Sequence, residues 1–79
     1  MEKNEILIRV KKVVSKVLKI EPSEITDDAN FVFDLGADSM QSVELVAGFE
    51  EEFDIEMELE KAQEIQTISG AVDFIATYL

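Results

Sequence analysis

The stretch Asp34-Leu35-Gly36-Ala37-Asp38-Ser39-Met40-Gln41 marks the start of a helix, and the rest of the chain can be placed around it. Gly36 supplies the backbone freedom for a turn just before that helix. Asp38 is the predicted N-cap, because its carboxylate can accept a backbone N–H of the first turn. Gln41, three residues on, completes a capping-box pattern. The sequence therefore predicts a helix that begins at Ser39.

The place of Ser39 in this first turn suits a hydroxyl that is to carry a phosphate. A helix N-terminus offers unpaired backbone N–H groups and the positive end of the macrodipole, so a phosphodiester there is electrostatically favoured. A serine nucleophile needs a base, but the chain has no histidine, and Gly-x-Ser-x-Gly is absent. With no cysteine either, the composition indicates a protein that is modified rather than an enzyme.

The helix predicted for residues 39–53 has two distinct faces at about 100° per residue. Its core side holds Ser42, Leu45, Val46, Phe49 and Phe53. Its other side, called here the outer face, holds Met40, Glu44, Ala47, Gly48 and Glu51, with Val43 and Glu50 at the edge. The outer face is either an ordinary solvated surface or a surface for partners, and its position beside Ser39 favours partners. A glycine inside a helix costs about 1 kcal/mol relative to alanine. Gly48 therefore either admits a partner backbone or is a tolerated defect.

A first helix is predicted for residues 3–19. One face of it is apolar, with Ile6, Val10, Val13, Val14 and Val17, and the opposite face carries Arg9, Lys12 and Lys16. Pro22 is expected to stop this helix, and Ser23 to cap a brief turn at Glu24 and Ile25. The long connection over residues 20–38 carries apolar residues that we expect to pin it over the helices: Ile25, Ala29, Phe31, Val32, Phe33 and Leu35.

Two further helices are predicted after an acidic connector over residues 54–60. The third helix is short and rests on Leu59, Ala62 and Ile65. Thr67 is the expected N-cap of the last helix, in which Ile68, Val72, Ile75 and Leu79 keep helical spacing. The predicted fold is all-α: a single domain over residues 1–79 that forms a small four-helix bundle of three main helices and one short helix, with a long loop between helices 1 and 2.

The chain of 79 residues carries a formal net charge of −11, distributed unevenly. Residues 1–20 hold six basic and two acidic side chains, whereas residues 21–79 hold sixteen acidic side chains and one basic, Lys61. Such a surface repels nucleic acid and anionic lipid. Its charge either steers basic protein partners toward the protein or merely keeps a small domain in solution. With no long apolar run and no secretory signal, a cytoplasmic monomer without membrane insertion is expected.

A metal site is not expected. Acidic and amide residues before the second helix suggest a calcium loop, but D-x-[DN]-x-[DN]-G-x₅-E is not satisfied by Asp27, Asp28, Asn30, Asp34 and Asp38. The acidic residues between positions 50 and 60 either collect divalent cations weakly or are simply a solvated surface, and the solvated surface is the favoured interpretation.

The motif Asp34 to Met40, followed by Val43-Glu44-Leu45-Val46 and by the stretch over residues 50–55, resembles a bacterial acyl carrier protein. Similarity to that family extends over residues 6–75. The resemblance implies that Ser39 receives 4′-phosphopantetheine from coenzyme A, and that Asp38 helps to position a divalent cation in the transferase active site. The space between the helices is implied to take up the acyl chain tethered to the arm.

The implied partners are a phosphopantetheinyl transferase and acyl-chain synthases, transferases or ligases with basic surfaces. They would meet the outer face at Met40, Val43, Glu44, Ala47, Glu50 and Glu51. The cargo would be an acyl thioester of fatty acid or related acyl-chain biosynthesis. Alternatives are a specialised carrier for polyketide or aminoacyl units, or an unmodified acidic helical interaction module.

The chain departs from the family pattern at several positions, and these leave the pathway open. Gln41 stands where an acidic residue is common, Ala47-Gly48 replaces a larger apolar residue and an alanine, and Phe33 occupies a site that is often polar or acidic. The segment Met57-Glu58-Leu59 lacks the usual proline.

Overall fold

The computed structural model of the protein describes residues 1–79 and contains four α-helices and one 3₁₀ turn. Helix α1 spans Lys3–Leu18, the 3₁₀ turn Pro22–Glu24, α2 Ser39–Phe53, α3 Leu59–Gln63 and α4 Ile68–Ala76. There are no strands, and one isolated bridge pairs Asn30 with Thr67. The predicted all-α bundle, with three longer helices, one short helix and a long first loop, is confirmed. Every helix is too short or too polar to span a membrane.

Helix α1 is the element on which the others are assembled, since it packs against both α2 and α4, while α3 packs against α2. The apolar spacings predicted most of the buried side chains of the longer helices, but Val17 is only half-buried and the burial of Ala71 was not predicted. The buried side chains are Ile6, Val10, Val13 and Val14 of α1, Leu45, Phe49 and Phe53 of α2, and Ile68, Ala71, Val72 and Ile75 of α4. No polar side chain is buried. The fold is therefore stabilised mainly by apolar burial between these three helices.

The end of α1 differs from the prediction. The helix ends at Leu18, and Lys19 adopts the left-handed conformation at φ 58°, with its N–H bonded to the Ser15 carbonyl. Pro22 does not stop it, but opens the 3₁₀ turn, where its fixed φ fits the first helical position. Ser23 lies inside that turn, whose N-cap position has no side-chain hydrogen bond, so the predicted cap is wrong.

Helix α4 begins as predicted, whereas α3 begins at Leu59, inside the predicted connector, and ends before Ile65. The hydroxyl of Thr67 accepts the N–H of Gly70 at 3.1 Å, which confirms the N-cap of α4. That helix ends at Ala76, so Leu79 lies beyond it and is 52% exposed. In the short α3 only Ala62 is buried, whereas Leu59 is 45% exposed.

The long loop is tied down by backbone hydrogen bonds to the connection between α3 and α4. The N–H of Phe31 bonds to the Gln66 carbonyl at 2.9 Å, and the N–H of Ile68 bonds to the Ala29 carbonyl at 3.0 Å. Ile25, Ala29 and Phe31 are buried and Leu35 is half-buried, as predicted. The prediction is wrong for Val32 and Phe33, which are 55% and 88% exposed because the turn between Asn30 and Leu35 directs them outward.

Gly48 faces α1, so its assignment to the outer face is wrong. A Cβ at this position would lie 2.7 Å from Cγ1 of Val13 and 3.8 Å from Cγ2 of Val17. Val13 is a β-branched residue with a stiff side chain, and it is buried, so it could not easily move aside. Gly48 therefore permits the close approach of α1 and α2, and neither of the two earlier interpretations holds.

Arg9 also differs from its predicted place on the solvent side of α1. It is half-buried against the C-terminal end of α2 and donates two hydrogen bonds to Glu52. Its Nε donates to the carboxylate at 2.7 Å, and a second guanidinium nitrogen donates to the Glu52 carbonyl. Its Cζ lies 4.8 Å from the ring centroid of Phe53. Since α2 has no basic residue in its last turn, Arg9 supplies from α1 the positive charge that a helix C-terminus favours.

This contact holds the pKa of the Glu52 carboxyl below its ordinary value of 4.5. The hydrogen bond from Arg9 is the main cause, with smaller contributions from the positive charges of Lys12, Arg9 and Lys16; partial burial opposes them. Because the pKa is lowered in the folded state, the stability that Glu52 contributes is present above 4.5. It is lost as the pH falls through the lowered value.

We predict that Arg9→Met lowers the free energy of unfolding by about 1–2 kcal/mol at pH 7, because it removes a charged hydrogen bond and a cation–π contact. The matched control is Lys3→Met, which breaks an exposed ion pair to Asp73 and should cost less than about 0.5 kcal/mol. Urea denaturation of both variants at pH 7 and at steps below pH 4.5 tests this. The loss of free energy of unfolding in Arg9→Met, relative to the wild type, should become smaller in acid. If the loss stays the same, Glu52 is not the group that Arg9 stabilises.

Candidate functional site

The start of α2 is built by the capping box that the sequence predicted. Asp38 is extended, at φ −94° and ψ −179°, and its carboxylate accepts the N–H of Gln41 at 2.7 Å. The Gln41 side chain accepts the N–H of Asp38 in return, at 3.2 Å. One turn on, the hydroxyl of Ser42 donates to the Asp38 carbonyl at 3.0 Å. These bonds define the helix start at Ser39 from local sequence alone.

The turn before the capping box is anchored in the core. Gly36 has φ +74°, a conformation that L side chains rarely adopt, and a Cβ there would meet nothing within 4 Å. The glycine is therefore required by backbone conformation and not by space. The next residue, Ala37, is buried, and its N–H bonds to the Phe31 carbonyl at 2.8 Å. The turn thus fixes where α2 and Ser39 stand relative to the core.

Ser39 is exposed at the first position of α2, and its hydroxyl takes no part in the hydrogen bonds of the helix start. The backbone N–H groups of Ser39 and Met40 likewise have no acceptor in the protein. They are the unpaired donors of a helix N-terminus, and such donors commonly bind phosphate groups in proteins. The residues present therefore fit a phosphodiester on the Ser39 oxygen.

A cavity of about 420 Å³ opens beside Ser39, between α2, the long loop and the region of α3. Ten of its fifteen lining residues are hydrophobic, so it suits an apolar chain better than a polar ligand. Its lining comprises Asn30, Phe31, Val32, Phe33, Ser39, Ser42, Leu45, Val46, Phe49, Met57, Ala62, Gln63, Ile65, Gln66 and Ala71.

The cavity lining includes two residues that were predicted in the core and several residues for which the sequence predicted no role in a site. Ser42 and Val46 were predicted in the core, but they are half-buried and line the cavity. Met57, Gln63 and Gln66 were not assigned any role. No local signal identifies them, because they reach the cavity only through the way α3 is placed on α2.

The outer face of α2 is solvent-accessible beside Ser39. Met40 is 73% exposed and Val43 46%, and Glu44, Ala47 and Glu51 are also exposed. None of the five ion pairs in the protein involves Glu44 or Glu51, so their charges face solvent unpaired.

Glu50, predicted at the edge of the outer face, has a structural contact as well. It is half-buried, and its carboxylate accepts the N–H of Met57 at 2.9 Å. Its carbonyl accepts the N–H of Ile55 at 3.1 Å. Glu50 therefore orients the connection that leads from α2 to α3 and to the cavity wall.

Comparison with known proteins finds related sequences over most of the chain. A family model described as "Phosphopantetheine attachment site" matches residues 9–75. The acyl carrier protein of Caulobacter vibrioides (strain NA1000 / CB15N) is 51% identical over 72 residues, which cover 91% of this chain and 92% of the relative. The acyl carrier protein of Phenylobacterium zucineum (strain HLK1) is 50% identical over 72 residues, which cover 91% of each chain.

The fold, the exposed serine and the family model together define a phosphopantetheine-binding protein. At half identity over nine-tenths of its length to such relatives, the chain belongs to the acyl carrier protein family. Its role is that of a carrier, and phosphopantetheine is the prosthetic group of the family. The resemblance inferred from the motif is confirmed.

We predict that Asp38→Ala lowers the free energy of unfolding by about 1 kcal/mol, because it removes the side-chain acceptor of the capping box. Asp38→Asn keeps an accepting oxygen and should cost clearly less. The control is Glu51→Gln, which removes one exposed charge from the same helix without touching a cap. Thermal and urea denaturation compare the three. An equal loss in Asp38→Ala and Asp38→Asn would show that the charge at the helix N-terminus, rather than the cap, carries the stability.

Proposed function

We propose that Ser39 is the attachment point of 4′-phosphopantetheine, and that residues 1–79 act as one carrier domain for acyl intermediates of fatty acid or related acyl-chain biosynthesis. The observation that carries this proposal is the free hydroxyl of Ser39 at a capped helix N-terminus, at the edge of an apolar cavity. The chain then delivers its cargo to other enzymes and does no chemistry itself, in keeping with its lack of histidine and cysteine.

Each part of the site has a task in this function. The bound group supplies a terminal thiol that holds the acyl chain as a thioester. The capping box keeps the Ser39 oxygen at a fixed helix start, and the free N–H groups of Ser39 and Met40 would favour the phosphate charge. Asp38 remains exposed beside the serine, where its carboxylate can help a transferase to place a divalent cation.

The apolar cavity offers the tethered acyl chain a place away from water. Burial is worth about 0.8 kcal/mol for each methylene, so a medium-length chain can offset the cost of parting α2 and α3. Leu45, Val46 and Phe49 would contact it from α2, and Ile65 from the opposite wall. Five polar lining residues leave room for a polar group on the chain, as a polyketide unit carries. Mass spectrometry of the acyl groups on the native protein separates these cargoes.

We predict that incubation with coenzyme A, Mg²⁺ and a broad-specificity phosphopantetheinyl transferase adds the mass of one phosphopantetheinyl group to the protein. Ser39→Ala should gain none, whereas Ser23→Ala, which changes an exposed serine in the 3₁₀ turn, should be modified like the wild type. Intact-protein mass spectrometry gives the answer. A wild type that stays unmodified would favour the unmodified interaction module, and a modified Ser39→Ala would move the site to another residue.

The outer face is proposed to meet basic surfaces on the transferase and on acyl-chain enzymes. We predict that Glu44→Lys and Glu51→Lys slow association with the transferase and weaken its salt dependence, because complementary charge acts mainly on the rate of encounter. Both residues are exposed, so stability should change by less than about 0.5 kcal/mol.

The control for this prediction is Glu2→Lys, which makes the same charge change at the start of α1 and should affect modification much less. Initial rates at low and high salt are compared for the three variants. Equal slowing by all three would mean that only net charge matters and that the outer face is not a binding surface. Unfolding of Glu44→Lys would contradict the assignment of the helix faces.

A further inference from the structure

Phe33 is the most exposed large apolar side chain of the protein, at 88%, and the fold does not require it there. Its neighbour two residues back, Phe31, is buried at 8% and supplies the core contact of this loop. Single exposed apolar residues are common on protein surfaces. Phe33 differs because the structure around it fixes its position and because it lies beside Ser39.

A closed network of hydrogen bonds holds the turn that carries Phe33. The side-chain oxygen of Asn30 accepts the N–H groups of Val32 and Phe33, both at 2.9 Å. The Asp34 carboxylate accepts the N–H of Asn30 at 2.7 Å, and the Asn30 carbonyl accepts the N–H groups of Asp34 and Leu35 at 3.0 Å. The backbone of Phe33 is thus fixed, and its outward direction is a property of the turn.

The segments that carry Phe33 and Ser39 hold both exposed apolar side chains and exposed carboxylates, called here the apolar patch and its acidic border. Phe33 and Ser39 line the same cavity. Three more exposed apolar residues flank Ser39 in sequence, Val32, Met40 and Val43. The border carries exposed carboxylates at Asp34, Asp38 and Glu44, none of which is in an ion pair.

We propose that Phe33 is an aromatic anchor for the phosphopantetheinyl transferase, and that it enters an apolar pocket bordered by basic side chains on that enzyme. The proposal rests on the proposed function. The transferase is the partner that must bring its active site to the Ser39 oxygen. There the oxygen bonds to the phosphorus on the pantetheine side of coenzyme A, the pyrophosphate bond breaks, adenosine 3′,5′-bisphosphate leaves, and the hydroxyl proton passes to a base of the transferase. The transferase therefore has to cover the surface around Ser39. An enzyme that acts on the terminal thiol can bind farther from Ser39, because the phosphopantetheine arm separates the thiol from the protein surface.

The apolar and the acidic residues of this surface are expected to act on different steps of binding. The acidic border acts over distance and is screened by salt, whereas burial of an aromatic ring acts at contact and is not. Buried aromatic residues at the centre of an interface commonly carry much of its binding energy, with a polar rim around them. Phe33 accordingly determines how tightly the transferase holds the carrier, and the carboxylates determine how fast it arrives.

The experiment measures transferase kinetics with the carrier as the varied substrate. We expect Phe33→Ser to lower kcat/KM by about tenfold, through KM, with kcat unchanged within about twofold, as for the loss of one interface anchor. Phe33→Leu should restore most of the loss, because it returns an apolar side chain. The matched control is Ile8→Ser: Ile8 is 61% exposed on α1, a helix that adds no residue to the cavity.

Salt dependence distinguishes the anchor from the charged border. The ratio of wild-type to Phe33→Ser kcat/KM should stay the same between low and high salt, while the ratio for Glu44→Lys should fall toward one. Circular dichroism melting of each variant confirms folding. Because Phe33 is exposed, its variants should melt within a few degrees of the wild type.

Four outcomes would overturn the proposal. In the first, Phe33→Ser and Ile8→Ser have the same kcat/KM as the wild type while Ser39 is modified normally; this leaves the carrier function intact and removes only the anchor. A wild-type dimer that Phe33→Ser abolishes would make a second copy the occupant. Faster hydrolysis of an acyl thioester in Phe33→Ser, with modification unchanged, would assign Phe33 to the cargo. If the wild-type protein accepts no phosphopantetheine, the proposed function itself is contradicted.

Discussion

The contact between α1 and α2 is the constraint on which the rest of the structure depends. Gly48 lets the two helices approach until the space a Cβ would need is filled by Val13, and Arg9 ties the end of α2 back to α1 through Glu52. Since α1 also packs against α4, it determines the relative placement of the longer helices. Once α2 is fixed along α1, its N-terminus and Ser39 have a defined position at one end of the bundle.

The cavity and the packing of α1 involve different parts of the molecule. The cavity beside Ser39 is lined by α2, the long loop, the region of α3 and one residue of α4, and by nothing from α1. Helix α3 has five residues and a single buried side chain. Elements with so few buried contacts belong to the low-stability end of a fold, so the cavity can widen toward α3 while the contacts of α1 stay intact.

Charge is organised by the same packing. The basic side chains of α1 neutralise carboxylates on the elements around it, with Lys3 paired to Asp73, Arg9 to Glu52 and Lys11 to Asp27. The carboxylates at the start of α2 and along its outer face have no such partner. Unpaired negative charge therefore lies close to Ser39 along α2, on the surface that we propose for docking.

The sequence by itself determined the features that depend on neighbours along the chain. The capping box of Asp38 and Gln41, the Thr67 cap and the apolar periodicity of three helices were predicted, because hydrogen bonds within one turn and a 3.6-residue repeat are local. Only the tertiary structure decided where the boundary residues face. Gly48 and Arg9 lie at the edge between two helices, so the way the helices pack, and not their own angular position, decides that they face inward. The exposure of Phe33 follows from a turn closed by hydrogen bonds within residues 30–35, so it is local, although the hydrophobicity of Phe33 alone predicted burial. The cavity follows from how α3 sits on α2, which is a contact between segments that no local pattern encodes.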